Sequence, residues 1–231
     1  MREICLDIET TGLDPKDGHK IIEIACVELV NRVKTGNVFH SYVNPRRDVP
    51  DEAFRIHGIA TDFLKDKPIF DHMVHKFLEF VKDTKIVIHN AAFDTKFINH
   101  ELRILGLNGL NMDNVIDSLT MARKKYPGSP NSLDALCRRF NIDLSKRTKH
   151  GALLDTELLA DVYIELTGGA QGGFNFDAEK KEEKVVTIIE DVEFNPVRRQ
   201  VAKREFTVSN DDLIKHKEFI EKNIKNSLWE F

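Results

Sequence analysis

The sequence contains few cysteines, and none of them stands in a recognisable bridging or metal-binding pattern. Cys5, Cys26 and Cys137 are odd in number, widely separated and without a C-x-x-C pair. This arrangement argues against a disulfide framework or a zinc site and favours buried, reduced thiols. The sequence also lacks an apolar run near the roughly 18 residues of a membrane span, and it does not begin with a basic segment followed by an apolar one. These absences predict a cytoplasmic protein with no membrane partner.

An excess of positive charge is also missing. The chain has 34 Lys and Arg against 38 Asp and Glu, which gives a formal net charge of −4. Nonspecific electrostatic binding of nucleic acid by the chain as a whole is therefore excluded. Any chemistry on nucleic acid must be local, and it must be assisted by a metal ion or a partner. The 231 residues are enough for one well-buried domain and an appendage.

The N-terminal segment is a short apolar run with two acids in it. Alternate side chains of a β-strand share a face, so Asp7 and Glu9 are predicted on one face and Leu6 and Ile8 on the other. Two carboxylates separated by roughly 6.6 Å along a strand can reach one cation or a closely spaced pair of cations. The alternative is a half-exposed edge strand whose acids are solvated.

Hydrophobic periodicity predicts an α/β layer fold with a mixed sheet. Turn residues between the first two strands, including Gly12 and Gly18, fit a hairpin or meander. Apolar residues at helical spacing then alternate with further strand-like runs. The predicted strands after the first are 21–30, 37–43 and 85–89, and the predicted helices are 71–81, 94–105, a segment capped by Ser132, and 154–166.

The composition changes after residue 167. Residues 168–184 are first glycine-rich and then charged, which is typical of a linker. Residues 185–231 contain a strand-like stretch at 185–189, a basic patch and a helix opened by Ser209, but too few apolar residues for a core of their own. We therefore predict a domain at 1–167, a flexible linker at 168–184, and an extended C-terminal tail at 185–231 that folds against another molecule.

Three separated segments carry the residue types needed for metal-assisted hydrolysis. Clustered carboxylates suit Mg²⁺ or Mn²⁺, and a histidine of near-neutral pKa can take a proton from an attacking water. Each residue also has an unremarkable alternative role. The acids of the second and third segments fit helix N-termini, and the histidines fit a solvated loop or a turn. The candidates for the chemistry are Asp7, Glu9, Asp94, His150 and Asp155. In the alternative reading His89 and Asn90 cap the helix that follows them, and His57 is a histidine of a turn.

The order and spacing of these segments resemble a known family. D-I-E-T-T-G at 7–12, H-N-A-A-F-D at 89–94 and H-G-A-L-L-D at 150–155 are similar to the three exonuclease motifs of the DEDD superfamily, in its histidine branch. Over residues 1–167 the chain resembles the proofreading-subunit family of bacterial DNA polymerase III. The resemblance implies a ribonuclease-H-like mixed five-stranded sheet with flanking helices and removal of nucleotides from a DNA primer 3′ end.

The resemblance also implies roles for individual residues. Asp7 matches the ligand that bridges two divalent cations, Mg²⁺ or Mn²⁺. Glu9 and Asp155 match ligands of the ion that activates water, Asp94 a ligand of the second ion, and His150 the general base. Further substrate contacts are implied beside the acids, at Thr10, Leu13, His57, Asn90 and Phe93.

The resemblance continues beyond residue 167 and there concerns binding partners. Gln171, Phe174 and Phe176 resemble a sliding-clamp-binding motif, and the alternative is two phenylalanines in a flexible linker. The resemblance implies that 185–231 docks on the polymerase III catalytic subunit and that the exonuclease domain takes a small accessory subunit. Two other functions stay open at this point. One is a free-standing exonuclease that trims RNA or DNA 3′ ends, and the other is a non-catalytic scaffold subunit of a polymerase.

Overall fold

The computed structural model describes residues 1–145, 147–168 and 209–223. These residues belong to two compact units, the first containing the described residues up to 168 and the second containing 209–223. Gln171, Phe174 and Phe176, the predicted strand at 185–189 and most of the predicted linker lie outside the described residues. Within the described ranges no helix is long and apolar enough to cross a bilayer.

The first unit is built on a mixed five-stranded sheet, as the sequence predicts. The strand order is β3-β2-β1-β4-β5. β1 pairs antiparallel with β2 and parallel with β4, so it lies inside the sheet, and the edge-strand alternative for Asp7 and Glu9 is wrong. The antiparallel β1-β2-β3 pairing confirms the predicted meander. The strands are β1 (Arg2–Thr10), β2 (Ile21–Val30), β3 (Val33–Tyr42), β4 (Lys85–Ile88) and β5 (Val115–Asp117).

Helices cover both faces of this sheet. Seven α-helices belong to the described part of the first unit, and one further helix forms the described part of the second. The helix predicted to open near Ser209 is present, and the Leu213 N–H donates to the Ser209 carbonyl at 3.1 Å. The helices are α1 (Asp51–His57), α2 (Thr61–Leu64), α3 (Phe70–Val81), α4 (Ala91–Ile104), α5 (Ser118–Lys125), α6 (Leu133–Phe140), α7 (Ala152–Leu166) and α8 (Asn210–Asn223).

The alternation of side chains along β1 decides which helix faces the acids. Leu6 and Ile8 belong to the core formed with α3 and α4. Cys5 belongs to the opposite core, together with Leu159 and Tyr163 of α7. Because Asp7 and Glu9 follow Cys5 at alternate positions, they share the face of the sheet that α7 covers.

Several helix and strand boundaries differ from the sequence prediction. α4 begins at Ala91, three residues before the predicted start, because Asn90 takes a left-handed conformation with φ of 71° that ends β4 and turns the chain directly into the helix. α7 begins at Ala152 rather than 154, after Gly151 in extended conformation. β3 extends further towards its N-terminus, to Val33. The elements that the sequence prediction missed are α1, α2, β5 and α5.

The three cysteines are free and buried, as predicted. Burial raises the pKa of the Cys5 and Cys26 thiols well above the usual range. It also raises the pKa of Cys137 to about 11. All three side chains therefore stay protonated near neutral pH.

Candidate active site

The C-terminal half of β1 places two of the predicted acids on one face of the sheet. Asp7 and Glu9 are both partly buried. The pairing of β1 with β2 is regular up to Glu9, which lies opposite Glu23, and it shifts by a residue before Thr10. A bulge at this position turns the chain out of the sheet immediately after the second acid.

The third predicted acid reaches the same end of β1 from the first turn of α4. Asp94 is 3% exposed, and its Oδ1 accepts a hydrogen bond from the Ile8 N–H at 3.2 Å. Because that amide lies between the two acids of β1, the bond anchors Asp94 beside them. A helix dipole alone does not account for such deep burial of a carboxylate next to other acids, so the helix-terminus alternative is insufficient.

The third segment is positioned by contacts at both of its ends. His150 lies on the loop before α7, where its N–H donates to the Ile56 carbonyl at 3.2 Å. Asp155 lies in the first turn of α7. The N-cap residue Gly151 has no side chain to cap the helix, and Glu23 of β2 supplies the missing acceptor by taking the Ala152 N–H at 3.1 Å.

These elements bring three side chains from distant parts of the sequence together. One ligand atom from each of Glu9, His150 and Asp155 lies within 4.8 Å of the other two. His150 Nδ1 is 3.2 Å from Asp155 Oδ2, although the imidazole remains 51% exposed. The interpretation of His150 as a member of a solvated basic loop therefore accounts for its exposure but not for its contact with Asp155.

Arg147 is a site residue that the sequence prediction missed, because its neighbours suggested a solvated basic loop. Its side chain is 9% exposed. Nε and Nη2 donate to the two oxygens of Asp155 at 2.6 and 2.7 Å, and Nη1 donates to Asp134 at 2.6 Å. Nη2 also lies 3.0 Å from His150 Nδ1. The spacing of Arg147 and Asp155, eight residues across a helix start, gave no periodic signal for this contact.

The acids repel one another strongly. Burial, followed by the carboxylates of Asp94 and Glu9, raises the pKa of Asp7 well above its ordinary value. Burial raises the pKa of Asp94 in the same way. Burial and the carboxylates of Glu23 and Asp155 raise the pKa of Glu9 to about 8. Near neutral pH Glu9 is therefore mostly protonated, and all three groups hold their protons more tightly than ordinary carboxylic acids until a cation displaces them.

Asp155 behaves differently from the other three acids. Burial acts to raise its pKa, but the hydrogen bonds from Arg147 and His150 outweigh burial and hold the pKa of Asp155 below its ordinary value. The bidentate ion pair also raises the pKa of Arg147 further. Asp155 is therefore ionised and paired with a guanidinium.

Two cavities flank the acids. The larger, of about 960 Å³, is lined by Asp7, His150 and Asp155 together with Arg123 and Asn90. The smaller, of about 440 Å³, is lined by five of the residues predicted to contact metal or substrate. Asn90, predicted to share that pocket, lines the larger cavity instead. The five residues of the smaller cavity are Glu9, Thr10, Leu13, His57 and Phe93.

The smaller cavity has an apolar residue at its mouth and a buried histidine in its wall. Leu13 is 80% exposed, and the Thr10 hydroxyl donates to the Gly12 carbonyl at 2.6 Å. His57 Nδ1 accepts from the Ile59 N–H at 3.0 Å. His57 Nε2 is buried without a hydrogen-bond partner among the described residues. The turn-histidine alternative thus explains one ring nitrogen of His57 and leaves the other unexplained.

The second motif is held by the last residue of β5 and the first residue of α5. His89 Nδ1 lies 2.9 Å from the Ser118 hydroxyl, and the Asn90 N–H donates to Asp117 at 3.3 Å. Asn90 occupies the N-cap position of α4, but its side chain makes no capping hydrogen bond. The capping alternative is therefore right about the position of Asn90, but it does not account for the side chain of Asn90.

The donor set fits a hard divalent cation. Glu9, His150 and Asp155 converge. Asp7 and Asp94 belong to the same cluster of acids, in which burial and the neighbouring carboxylates keep the pKa values of Asp7, Glu9 and Asp94 raised. Oxygen-rich sites of this kind suit Mg²⁺, Mn²⁺ or Ca²⁺ rather than metals that prefer thiolate ligands. A cation at the acids would remove the repulsion that the buried charges create.

Fold and site together define an exonuclease domain. The chain matches the exonuclease family, RNase_T, over residues 4–163. The nuclease domain of 3′hExo, described as a DEDDh family member bound to rAMP, has a similar fold, with a TM-score of 0.63 and 20% identity over 72% of this chain and 91% of that chain. Exonuclease X in complex with 5′ overhanging duplex DNA gives a TM-score of 0.54 and 24% identity over 71% of this chain and 90% of that chain. At these identities the likeness establishes the fold alone.

Curated relatives narrow the family. DNA polymerase III subunit epsilon of Rickettsia conorii is 49% identical over 98% of both chains. The epsilon subunit of Pasteurella multocida is 44% identical over 99% of this chain and 93% of its own. That of Escherichia coli K12 is 42% identical over 99% of this chain and 97% of its own. The chain belongs to the DNA polymerase III epsilon subunit family of exonucleases.

Proposed function

We propose that this metal-dependent 3′–5′ exonuclease removes mispaired nucleotides from DNA primer ends as the proofreading subunit of a replicative polymerase. The observation that carries the proposal is the convergence of Glu9, His150 and Asp155 within 4.8 Å of one another between two cavities. Asp7 reaches the same place from β1. A non-catalytic scaffold would have no need to bury unpaired carboxylates at such a cost.

We assign the metal ligands to the four acids. Asp7 would serve as a ligand for both of two divalent cations, Mg²⁺ or Mn²⁺, while Glu9 and Asp155 would hold one of them and Asp94 the other. When bound, the cations stabilise the charge that develops on the attacking and leaving oxygens of phosphodiester hydrolysis. The raised pKa values of Asp7 and Glu9 support the assignment, because the ionised forms of these groups gain most from a bound cation.

His150 is assigned as the general base. Its Nδ1 faces Asp155 at 3.2 Å, and an imidazole oriented by a carboxylate can take a proton at Nε2. That proton comes from the water whose oxygen bonds to phosphorus, while the bond from phosphorus to the 3′ oxygen of the preceding nucleotide breaks. The exposure of the ring gives water access to Nε2.

The smaller cavity is assigned to the terminal nucleotide. Thr10, Leu13, His57 and Phe93 line this cavity together with Glu9 and offer it both polar and apolar surface. The pocket takes a single unpaired end and reads no base sequence. A mispaired terminus loses less pairing energy than a matched one when it enters as a single strand, and this difference selects the mismatch.

The activity can be tested on primer–template duplexes with matched and mispaired 3′ ends and on RNA of the same sequence. We expect degradation from the 3′ end in the presence of Mg²⁺, faster for the mispaired DNA terminus. Preference for the RNA would favour the free-standing trimming exonuclease. No cleavage of any substrate would leave the scaffold subunit as the remaining function.

The partners are proposed from the relatives, which are subunits of DNA polymerase III, and from the sequence of the tail. We assign 1–167 to catalysis, 168–184 to a linker that binds the sliding clamp through Gln171, Phe174 and Phe176, and 185–231 to the polymerase III catalytic subunit. A small accessory subunit on the exonuclease domain is proposed as well. A subunit that works with a replicative polymerase belongs in the cytoplasm of a bacterium.

The two attachments can be separated in the full-length chain. Alanine at Gln171, Phe174 and Phe176 should abolish clamp binding in surface plasmon resonance and leave polymerase binding unchanged. A chain ending at residue 184 should show the reverse. Loss of polymerase binding in the triple alanine variant would contradict the assigned boundary between the two segments.

A further inference from the structure

Arg147 has an unusual position for a basic residue in a site built from acids. A cation-binding carboxylate is expected to face the cation, yet both oxygens of Asp155 already accept hydrogen bonds from one guanidinium, at 2.6 and 2.7 Å. Paired, parallel N–H to oxygen bonds are the strongest and most directional contact that arginine makes with a carboxylate. Both Asp155 oxygens that a metal ion would bind are therefore already hydrogen-bonded to Arg147.

The same guanidinium engages the proposed base. Arg147 Nη2, which donates to Asp155, also lies 3.0 Å from His150 Nδ1. Both groups also meet at one oxygen of the acid, since Asp155 Oδ2 lies 2.7 Å from Arg147 Nη2 and 3.2 Å from His150 Nδ1. Arg147 thus holds the acid and the imidazole of the third motif together in one arrangement.

A further contact keeps the guanidinium close when Asp155 is taken by a cation. Arg147 Nη1 donates to Asp134 of α6 at 2.6 Å, and the Asp134 side chain is 38% exposed. Asp134 lines the larger cavity next to Asp155 and is not one of the proposed metal ligands. Arg147 can therefore stay paired with Asp134 when Asp155 exchanges the guanidinium for a metal ion.

We propose that Arg147 is the internal counter-cation of the metal site: its guanidinium occupies Asp155 until a divalent cation binds, and the incoming ion competes with it for the oxygens of Asp155. The inference rests on the assignment of Asp155 as a metal ligand. Arg147 is a positioning residue in this scheme, since it touches the ligand and the base rather than the reacting atoms. It sets how tightly the site takes its metal.

The test is a titration of the full-length chain with Mn²⁺ by calorimetry, comparing wild type with Arg147→Met, Arg147→Lys and Asp134→Asn. A positive charge within a few ångströms changes the equilibrium of a charged site by roughly tenfold or more, so Arg147→Met should bind Mn²⁺ at least tenfold more tightly. Arg147→Lys keeps the charge but loses the paired bonds, so its Mn²⁺ affinity should lie between those of wild type and Arg147→Met. Asp134→Asn leaves the bonds to Asp155 intact and should not tighten binding.

A second measurement uses the unmodified protein and does not depend on the folding of a variant. The Nε–H of Arg147, followed by NMR in ¹⁵N-arginine-labelled protein, should shift as Mg²⁺ is added and saturate with the same midpoint as metal binding. A resonance unchanged at saturating Mg²⁺, or weaker Mn²⁺ binding by Arg147→Met, would overturn the proposal for Arg147 while the proposed function stands. If wild type binds no Mn²⁺, the metal assignment itself fails.

Discussion

Glu23 on β2 lies directly opposite Glu9 on β1, and its carboxylate accepts the N–H of Ala152, the first residue of α7. The other oxygen of Glu23 lies 2.8 Å from His40 Nε2. One buried side chain therefore joins the strand that carries two of the acids to the helix that carries Asp155. It also places a negative charge beside Glu9, and this charge contributes to the raised pKa of Glu9.

Loss of the Glu23 carboxylate should loosen this junction. Glu23→Ala leaves the Ala152 N–H and His40 without their acceptor, which typically costs about 1–3 kcal/mol of stability. In a chain of this size that cost lowers the melting temperature by roughly 2–4 °C per kcal/mol, as circular dichroism would record. Glu23→Gln keeps an acceptor oxygen and should recover most of the loss. The exposed Glu79→Ala serves as control, and equal melting temperatures for all three variants would exclude a structural role for Glu23.

Replacement of Asp7 should separate activity from stability. Asp7→Asn removes the acid assigned to both cations, so cleavage of a primer should fall below detection in a gel assay. In EDTA the same variant should melt a few degrees above wild type, because a buried carboxylate repelled by Asp94 and Glu9 is gone. The exposed Asp71→Asn on α3 should change neither property. A fully active Asp7→Asn enzyme would contradict the metal assignment.

The raised pKa of Glu9 predicts proton release on metal binding. At pH 7 a group with a pKa of about 8 is mostly protonated, and a bound cation displaces the proton. Calorimetry of Mn²⁺ binding in buffers of different ionisation enthalpy should therefore show proton release at pH 7 that decreases as the pH rises past about 8. Glu9→Gln should release fewer protons than wild type. Binding heats that do not depend on the buffer at pH 7 would rule out protonated acids in the free site.

The same pKa has a consequence for the metal-free fold. The ordinary pKa of 4.5 applies to Glu9 in the unfolded chain, and about 8 applies in the fold. Between these values the folded state holds a proton that the unfolded state lacks, so stability in EDTA should fall as the pH rises through this window. Thermal melts at pH 5 and pH 8 measure the effect. Glu9→Gln should show a smaller difference between the two.

Replacement of His150 should lower the rate without removing the metal. His150→Gln takes away the proposed base and leaves Asp155 paired with Arg147. General-base catalysis typically contributes about 10²–10⁴-fold, so the rate constant for cleavage should fall within that range while Mn²⁺ affinity changes little. His72→Gln on the exposed face of α3 is the matched control. Unchanged cleavage near neutral pH would remove His150 from the mechanism.

Much of the fold is predictable because its strands and helices carry strong periodic patterns. The β1 alternation, the apolar β2 and the stripe of α7 are visible in the sequence, and the structure confirms them. β5 is only three residues long and α1 follows Pro50 without a side-chain cap, so neither leaves a clear local signal. Local periodicity reports burial on one face, and such short elements are defined by the neighbours they pack against.

The site shows the same division between local and long-range information. The acids and His150 stand in motifs whose residue types indicate metal binding and proton transfer. Glu23 and Arg147 do not, because each acts through one contact to a residue distant in sequence or across a helix start. The sequence signal for Glu23 is an acid within a strand that is apolar apart from Glu23 and Glu28.

The enclosure of all three thiols makes the chain well suited to site-specific fluorescence labelling. Cys5, Cys26 and Cys137 are buried and carry raised pKa values, so maleimide reagents, which attack thiolates, find no reactive native target on the folded enzyme. One cysteine introduced at an exposed position such as Lys76 would then take a dye selectively. Movement of a primer end into the site becomes observable by single-molecule energy transfer without first removing any natural cysteine.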